Sequence, residues 1–177
     1  MKKNKMTIAV LGCIGIFLIT ALILVPTTQA AEKTVKYNCT TQLTKTEFVV
    51  LPDMKGHITG VFVRRGVAIF ENEVAALKIW GTFDKKKGRV SFLAYLQITF
   101  KDGSTVMQKA SGSHAPPPDE KLDVYEGKGE YINGTGRFEG IKGKLSLTGR
   151  QITPNTKDKT KADNWIEVTA TYTLPKK

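Results

Sequence analysis

The feature that most constrains this chain is a two-residue alternation of apolar and polar side chains that recurs in almost every segment. Its best example runs Val90, Phe92, Ala94, Leu96, Ile98 and Phe100, interleaved with Ser91, Gln97, Thr99 and Lys101. A period of two places alternate residues on opposite faces of an extended strand, so this pattern predicts a long, half-buried β-strand. The same pattern predicts strands over Ile58–Phe70, Val74–Phe83, Thr105–Ser113, Val124–Ile132, Leu145–Ile152 and Trp165–Leu174, with an earlier one through Val35, Tyr37, Cys39, Thr41 and Leu43. Glu71–Leu77 holds helix-friendly residues but is short and flanked by strands, and it reads as a turn into a strand.

Turn chemistry falls between these runs. Lys85-Lys86-Lys87-Gly88, Lys101-Asp102-Gly103-Ser104 and Asn133-Gly134 predict hairpins, and the prolines Pro116–Pro118, which cannot join a sheet interior, predict a longer loop. No helix is required. About eight short strands in sequence define an all-β fold, and closing the meander removes the edges that invite aggregation. The fold expected is a single antiparallel up-and-down β-barrel, with a β-sandwich as the alternative, because alternation does not determine closure.

The N-terminus carries Lys2, Lys3 and Lys5, then an uncharged run from Ile8 to Val25, Pro26, and the small residues of Thr28-Gln29-Ala30. That order is the n-region, h-region and cleavage site of a signal peptide over residues 1–30, which makes residues 31–177 the barrel domain and its destination secreted or periplasmic. The alternative is a membrane anchor through residues 8–25, the only membrane contact expected. After cleavage, 24 Lys and Arg face 16 Asp and Glu. The basic residues are scattered or sit in turns, as in Lys85–Lys87 and the looser Lys157, Lys159 and Lys161, without interleaved aromatics, so nucleic acid is not an expected partner. A small apolar ligand, an envelope partner or a second copy of the chain is.

Cys39 is the one cysteine left after cleavage, which excludes an intramolecular disulfide, and its place in the Val35–Leu43 alternation makes it a small buried hydrophobe. The two histidines, His57 and His114, have no metal-ligand spacing around them and read as surface or loop residues; no cofactor or metal is expected. Neither a nucleophile elbow nor a Walker loop occurs. Glu126 and Glu130 share a strand face but stand about 13 Å apart, beyond a glycosidase pair. Glu71 and Glu73 belong to a turn-like segment, so no catalytic residue is assigned.

The candidate ligand-binding residues are Tyr125, Gly127, Gly129 and Tyr131, which alternate onto one strand face, two aromatics flanking a strip without side chains. If that face lines a barrel, the strip leaves space for a flat apolar molecule. The competing explanation is packing, with the glycines making room for a bulky neighbour such as Trp80 or Phe138.

The string from Gly127-Lys128-Gly129-Glu130-Tyr131 through Gly134-Thr135-Gly136-Arg137-Phe138-Glu139-Gly140-Ile141-Lys142-Gly143 resembles the glycine-rich signature of allene oxide cyclase-like and dirigent-like β-barrels. Phe100–Ser104 and Lys78–Thr82 are similar to segments of the bacterial proteins of that group, most of them of unknown function, and the resemblance spans about residues 74–150. It implies a barrel and, as an alternative to simple binding, a cyclase or isomerase that works by positioning its substrate and excluding water. The plant cyclase's catalytic residues match no positions here.

Overall fold

The computed structural model describes residues 31–120, 122–153 and 163–176; the signal segment 1–30 and the lysine run at 157–161 lie outside the described residues. Eight antiparallel strands follow one another: β1 (Lys33–Val50), β2 (Ile58–Phe70), β3 (Glu73–Lys86), β4 (Arg89–Thr99), β5 (Thr105–Ala115), β6 (Val124–Gly134), β7 (Lys142–Gln151) and β8 (Asp163–Thr173). Each pairs with the next, and β1 pairs with β8 over Lys33–Gln42. That last ladder closes the barrel and excludes the sandwich, so every strand has a neighbour on both sides.

Alternation sorts the strands into inner and outer faces as expected. On β4 Val90, Ala94 and Ile98 are buried inward, while Arg89, Ser91, Leu93 and Tyr95 face out. Two irregularities re-aim the pattern. A bulge at Thr44 inserts one residue into β1, so the inner face passes from odd positions (Val35 to Leu43) to even ones (Thr46, Phe48). A second lies at Ile132, between the pairs Gln108/Tyr131 and Met107/Asn133.

The β2–β3 and β3–β4 hairpins turn on two residues with positive φ, Glu71 (49°) with Asn72 (69°) and Lys87 (48°) with Gly88 (84°). Both central residues left-handed is the type I′ geometry that matches strand twist. Between β4 and β5, Gly103 has φ 81° and Asp102 accepts from the Ser104 amide at 2.9 Å. Asn133-Gly134 is not a hairpin turn. It ends β6, and the chain reverses at residues 135–141 through a 3-10 turn (Gly136–Phe138) and Gly140 at φ 74°. The reversal is displaced because Phe138 and Ile141 must tuck into the barrel, which takes more chain than two residues supply.

That connection, with the β2–β3 and β4–β5 turns, seals one end. Phe138 stacks at 4.8 Å from Phe100, and Phe70 lies 5.9 Å from Phe138, 5.5 Å from Phe100 and 5.0 Å from Tyr37. Arg137 covers the cluster from outside, 4.5 Å from the Phe100 ring, while pairing with Glu73 and Asp102. Inside, Tyr37 and Gln108 bond each other at 3.0 and 2.9 Å, and Cys39 is buried beside them with its thiol pushed up to about 12 by desolvation, as a structural cysteine should be.

At the opposite end His57 ties the β1–β2 loop to β3. Its imidazole, 4% exposed, lies 2.6 Å from Asp53 and 3.2 Å from Asp84. This corrects the surface reading of His57, whose position in a loop does not keep it in water once two carboxylates enclose it. Hydrogen bonds to Asp84 and then Asp53 raise the His57 pKa, and the bond to His57 lowers that of Asp53. A raised imidazole pKa stabilises the fold fully below the ordinary value of about 6.5 and loses that contribution as pH rises through the folded value. A lowered carboxylate contributes above its ordinary value of about 3.9 and fades in acid. The clamp is therefore strongest between about pH 4 and 6.5. Urea midpoints of wild type and His57→Gln should differ most inside that window and converge at alkaline pH; a constant difference would mean the imidazole acts without its charge.

Candidate functional site

The aromatic plug fills only one half of the barrel. At the other end, between the β1–β2, β3–β4 and β5–β6 connections, the interior opens into a cavity of about 410 Å³. Part of its origin is visible in the register: Ala94 on β4 pairs with Ala110 on β5, two small inward residues side by side on the cavity floor, while the row continues to Gly81, under the Phe62 ring, and to Gly129, against the β5 backbone. Ala94, Ala110, Ile79 and Leu147 form the floor, and Phe62, Phe83, Phe92 and Ile166 the walls, with Phe48, Ile58 and Lys85 nearer the mouth.

One side is polar. Arg64 on β2 is 9% exposed, with Nε donating to Thr41 Oγ1 at 3.0 Å and Nη2 to the Thr41 carbonyl at 3.4 Å. Burial pulls its guanidinium below the ordinary value, opposed by Tyr125 and Asp163. Tyr125 on β6 donates to Asn164 Oδ1 at 3.2 Å; burial raises its phenol, and the Arg64 charge acts the other way. His114 on β5 stacks 4.5 Å from the Tyr125 ring, and its Nδ1 lies 2.7 Å from Asp123 Oδ2. All of these line the cavity except Thr41 and Asp163. A chamber of this size with an apolar wall and a few convergent polar groups is the usual form of a small-molecule site.

The four residues singled out from the sequence all face inward but do not meet at one place. Tyr125 lines the cavity. Gly127 and Gly129 do not line it and lie opposite Leu147 and Leu145 of β7. Tyr131 is buried in the plugged half, 5.7 Å from Tyr172, its hydroxyl without a hydrogen-bond partner among the described residues. The side chain over Gly127 is Leu147, whose Cδ1 stands 3.3 Å from where a Cβ would sit. Trp80 points outward, under Lys78 Nζ at 4.6 Å, so it does not use the glycine strip.

At Gly129 a Cβ would meet the Lys109 carbonyl at 2.4 Å and the Ala110 Cα at 2.9 Å. The requirement is close approach of two backbones where the barrel coils, and a Gly129→Ala variant should lose about 1–3 kcal/mol in urea denaturation. An unchanged midpoint would show that β5 and β6 can part at no cost.

His114 corrects the sequence reading most directly. Strand β5 extends to Ala115 rather than ending at Ser113, which puts His114 on the inner face with Val106, Gln108 and Ala110. Arg64, Asp123, Gln151 and Asn164 were also missed. The available signal was parity: Arg64 shares the inward positions of Phe62, Ala68 and Phe70, and a charged residue at an inward position of a strand marks a site. The carboxylates considered as pairs are outside, Glu126 with Arg89 at 3.0 Å, Glu73 with Arg137 and Glu71 with Lys33.

Fold and site together define a small closed β-barrel plugged at one end and chambered at the other. It is similar to several solved structures over most of their length and its own. One is a conserved protein of unknown function from Rhodopseudomonas palustris, with 11% identity over 80% of this chain and 97% of that one at a TM-score of 0.52. Another is a protein of unknown function from Clostridium acetobutylicum, with 9% identity over 82% and 98% at 0.55. A pterocarpan synthase dirigent protein aligns over 82% of this chain and 88% of its own at 15% identity and a TM-score of 0.45. No protein-family model and no curated protein matches the sequence. The barrel implied by the Gly127–Gly143 signature is the fold of this chain, and the likenesses to the Rhodopseudomonas palustris and Clostridium acetobutylicum proteins speak to fold alone.

Proposed function

We propose that this chain is an exported binding protein whose barrel cavity takes one small, mainly apolar molecule. The observation that carries the reading is the chamber itself, about 410 Å³ and open at one end of an otherwise packed barrel. A packed interior is more stable than a hollow one, because each missing contact forfeits dispersion energy and leaves a cavity. Keeping alanine at Ala94 and Ala110 on the cavity floor, where larger apolar residues would fill the space, is the pattern of a site held open for a ligand. Export rests on the N-terminal lysines, the Ile8–Val25 run and Thr28-Gln29-Ala30.

The test is a fluorescence titration with 8-anilinonaphthalene-1-sulfonate, an apolar anion suited to both the chamber walls and Arg64. The expected result is saturable binding of one probe per barrel, with native circular dichroism retained. No binding, or unsaturable binding to the outer surface, would remove the cavity from the account. N-terminal sequencing of the exported product should begin at Ala31 or Glu32.

A further inference from the structure

We propose that His114 and Asp123 form a proton-accepting site, and that the cavity's ligand is a small apolar weak acid held there as its conjugate anion. The inference rests on the ligand-binding reading above and goes beyond it in giving the ligand an acidic O–H.

The geometry points to this chemistry in three ways. His114 Nδ1 is committed to Asp123 Oδ2 at 2.7 Å, while Nε2 has no partner among the described residues. A carboxylate on one ring nitrogen fixes the tautomer, so Nδ1–H donates to Asp123 and Nε2 presents its lone pair; it also supports the imidazolium that forms when Nε2 takes a proton. The ring is held in place, 4.5 Å from Tyr125 and 6.4 Å from Phe92. Finally, the charged and titratable groups around the chamber favour an anion. Arg64 on β2 and Lys85 on β3 are cations, Tyr125 on β6 is a phenol, and Asp123 is engaged by His114. Asp163, at the start of β8, acts on Arg64. In an apolar enclosure a buried guanidinium attracts an oxyanion strongly, because little water competes for either charge.

These features select a weak acid. A strong acid arrives already ionised and has no use for a base, and a neutral hydrocarbon has no use for Arg64. The step needs no co-reactant: the ligand's O–H bond breaks, the proton bonds to His114 Nε2, and the electron pair stays on the ligand oxygen, stabilised by Arg64. Asp123 is a positioning residue here, acting through His114.

4-Nitrophenol tests the proposal, because its anion is yellow and its neutral form is not. With wild-type protein, at a pH where the free probe is mostly neutral, the bound probe should show the anion band, its ionisation midpoint lowered by about one unit or more, a tenfold tilt. His114→Gln should still bind the probe but return that midpoint to the free value, and Asp123→Asn should give an intermediate midpoint, with circular dichroism confirming folded barrels. A probe that binds wild type only as the neutral phenol, or whose midpoint is the same in wild type and His114→Gln, would overturn the proton-accepting site while leaving the cavity reading intact. A protein that binds neither 4-nitrophenol nor the anilinonaphthalene probe overturns both.

Discussion

Replacing Phe70 with alanine should destabilise the barrel by about 3–5 kcal/mol, the range for emptying a buried aromatic site. Phe70 is 1% exposed and is the hub of the plug, in ring contact with Tyr37, Phe100 and Phe138. Its ring contacts join β2 to β1, the β4–β5 turn and the β6–β7 connection, so neighbours anchored on three other segments cannot all move to fill the hole. Set against a total stability of about 5–15 kcal/mol for a domain of this kind, the loss is a large share of the whole. Urea unfolding of Phe70→Ala beside Phe70→Leu is the measurement, with leucine recovering most of the loss because it restores volume. A loss below about 1 kcal/mol for alanine would show that the sealed end is not one jointly packed core.

Ala94→Phe should have the reverse profile. Ala94 is 4% exposed and sits on the chamber floor between Gly81 and Ala110. In a filled interior an added ring would overpack the core and cost about 1–3 kcal/mol. Here it projects into open space, so stability should stay within about 1 kcal/mol of wild type while the affinity for the anilinonaphthalene probe falls by about tenfold or more. A destabilised variant that still binds the probe normally would place the bound probe elsewhere. The Phe70 and Ala94 variants thus probe the two halves of one barrel, and the account requires opposite outcomes from them.

How much of this was legible beforehand depended on whether the information was local. The inner face of β4 can be read from Val90 to Ile98 alone, because strand periodicity is a property of consecutive residues. The Asp102-Gly103 turn is equally local. Closure is not, since it rests on β1 meeting β8 across the whole chain. Asn133-Gly134 misleads because its turn chemistry is real but is overridden by the burial of Phe138 and Ile141 a few residues on. In the site, Tyr125 was found by alternation. His114 was lost because β5 was ended two residues too early, and Asp123 because its role depends on the Pro116–Pro118 loop bringing it back to β5. The bulge at Thr44, which turns Thr46 and Phe48 inward, carries no glycine or proline to announce it. The chamber is the least legible feature: it requires Ala94 and Ala110, on different strands, to fall side by side on the inner face.

The central claim is that the open half of the barrel holds a small molecule, and native mass spectrometry of the protein purified from its own host under gentle conditions tests it most directly. The account predicts barrels that carry one small molecule each, released on collisional activation and absent from Ala94→Phe purified in the same way. Bare wild-type polypeptide, or a bound molecule retained undiminished by Ala94→Phe, would contradict it.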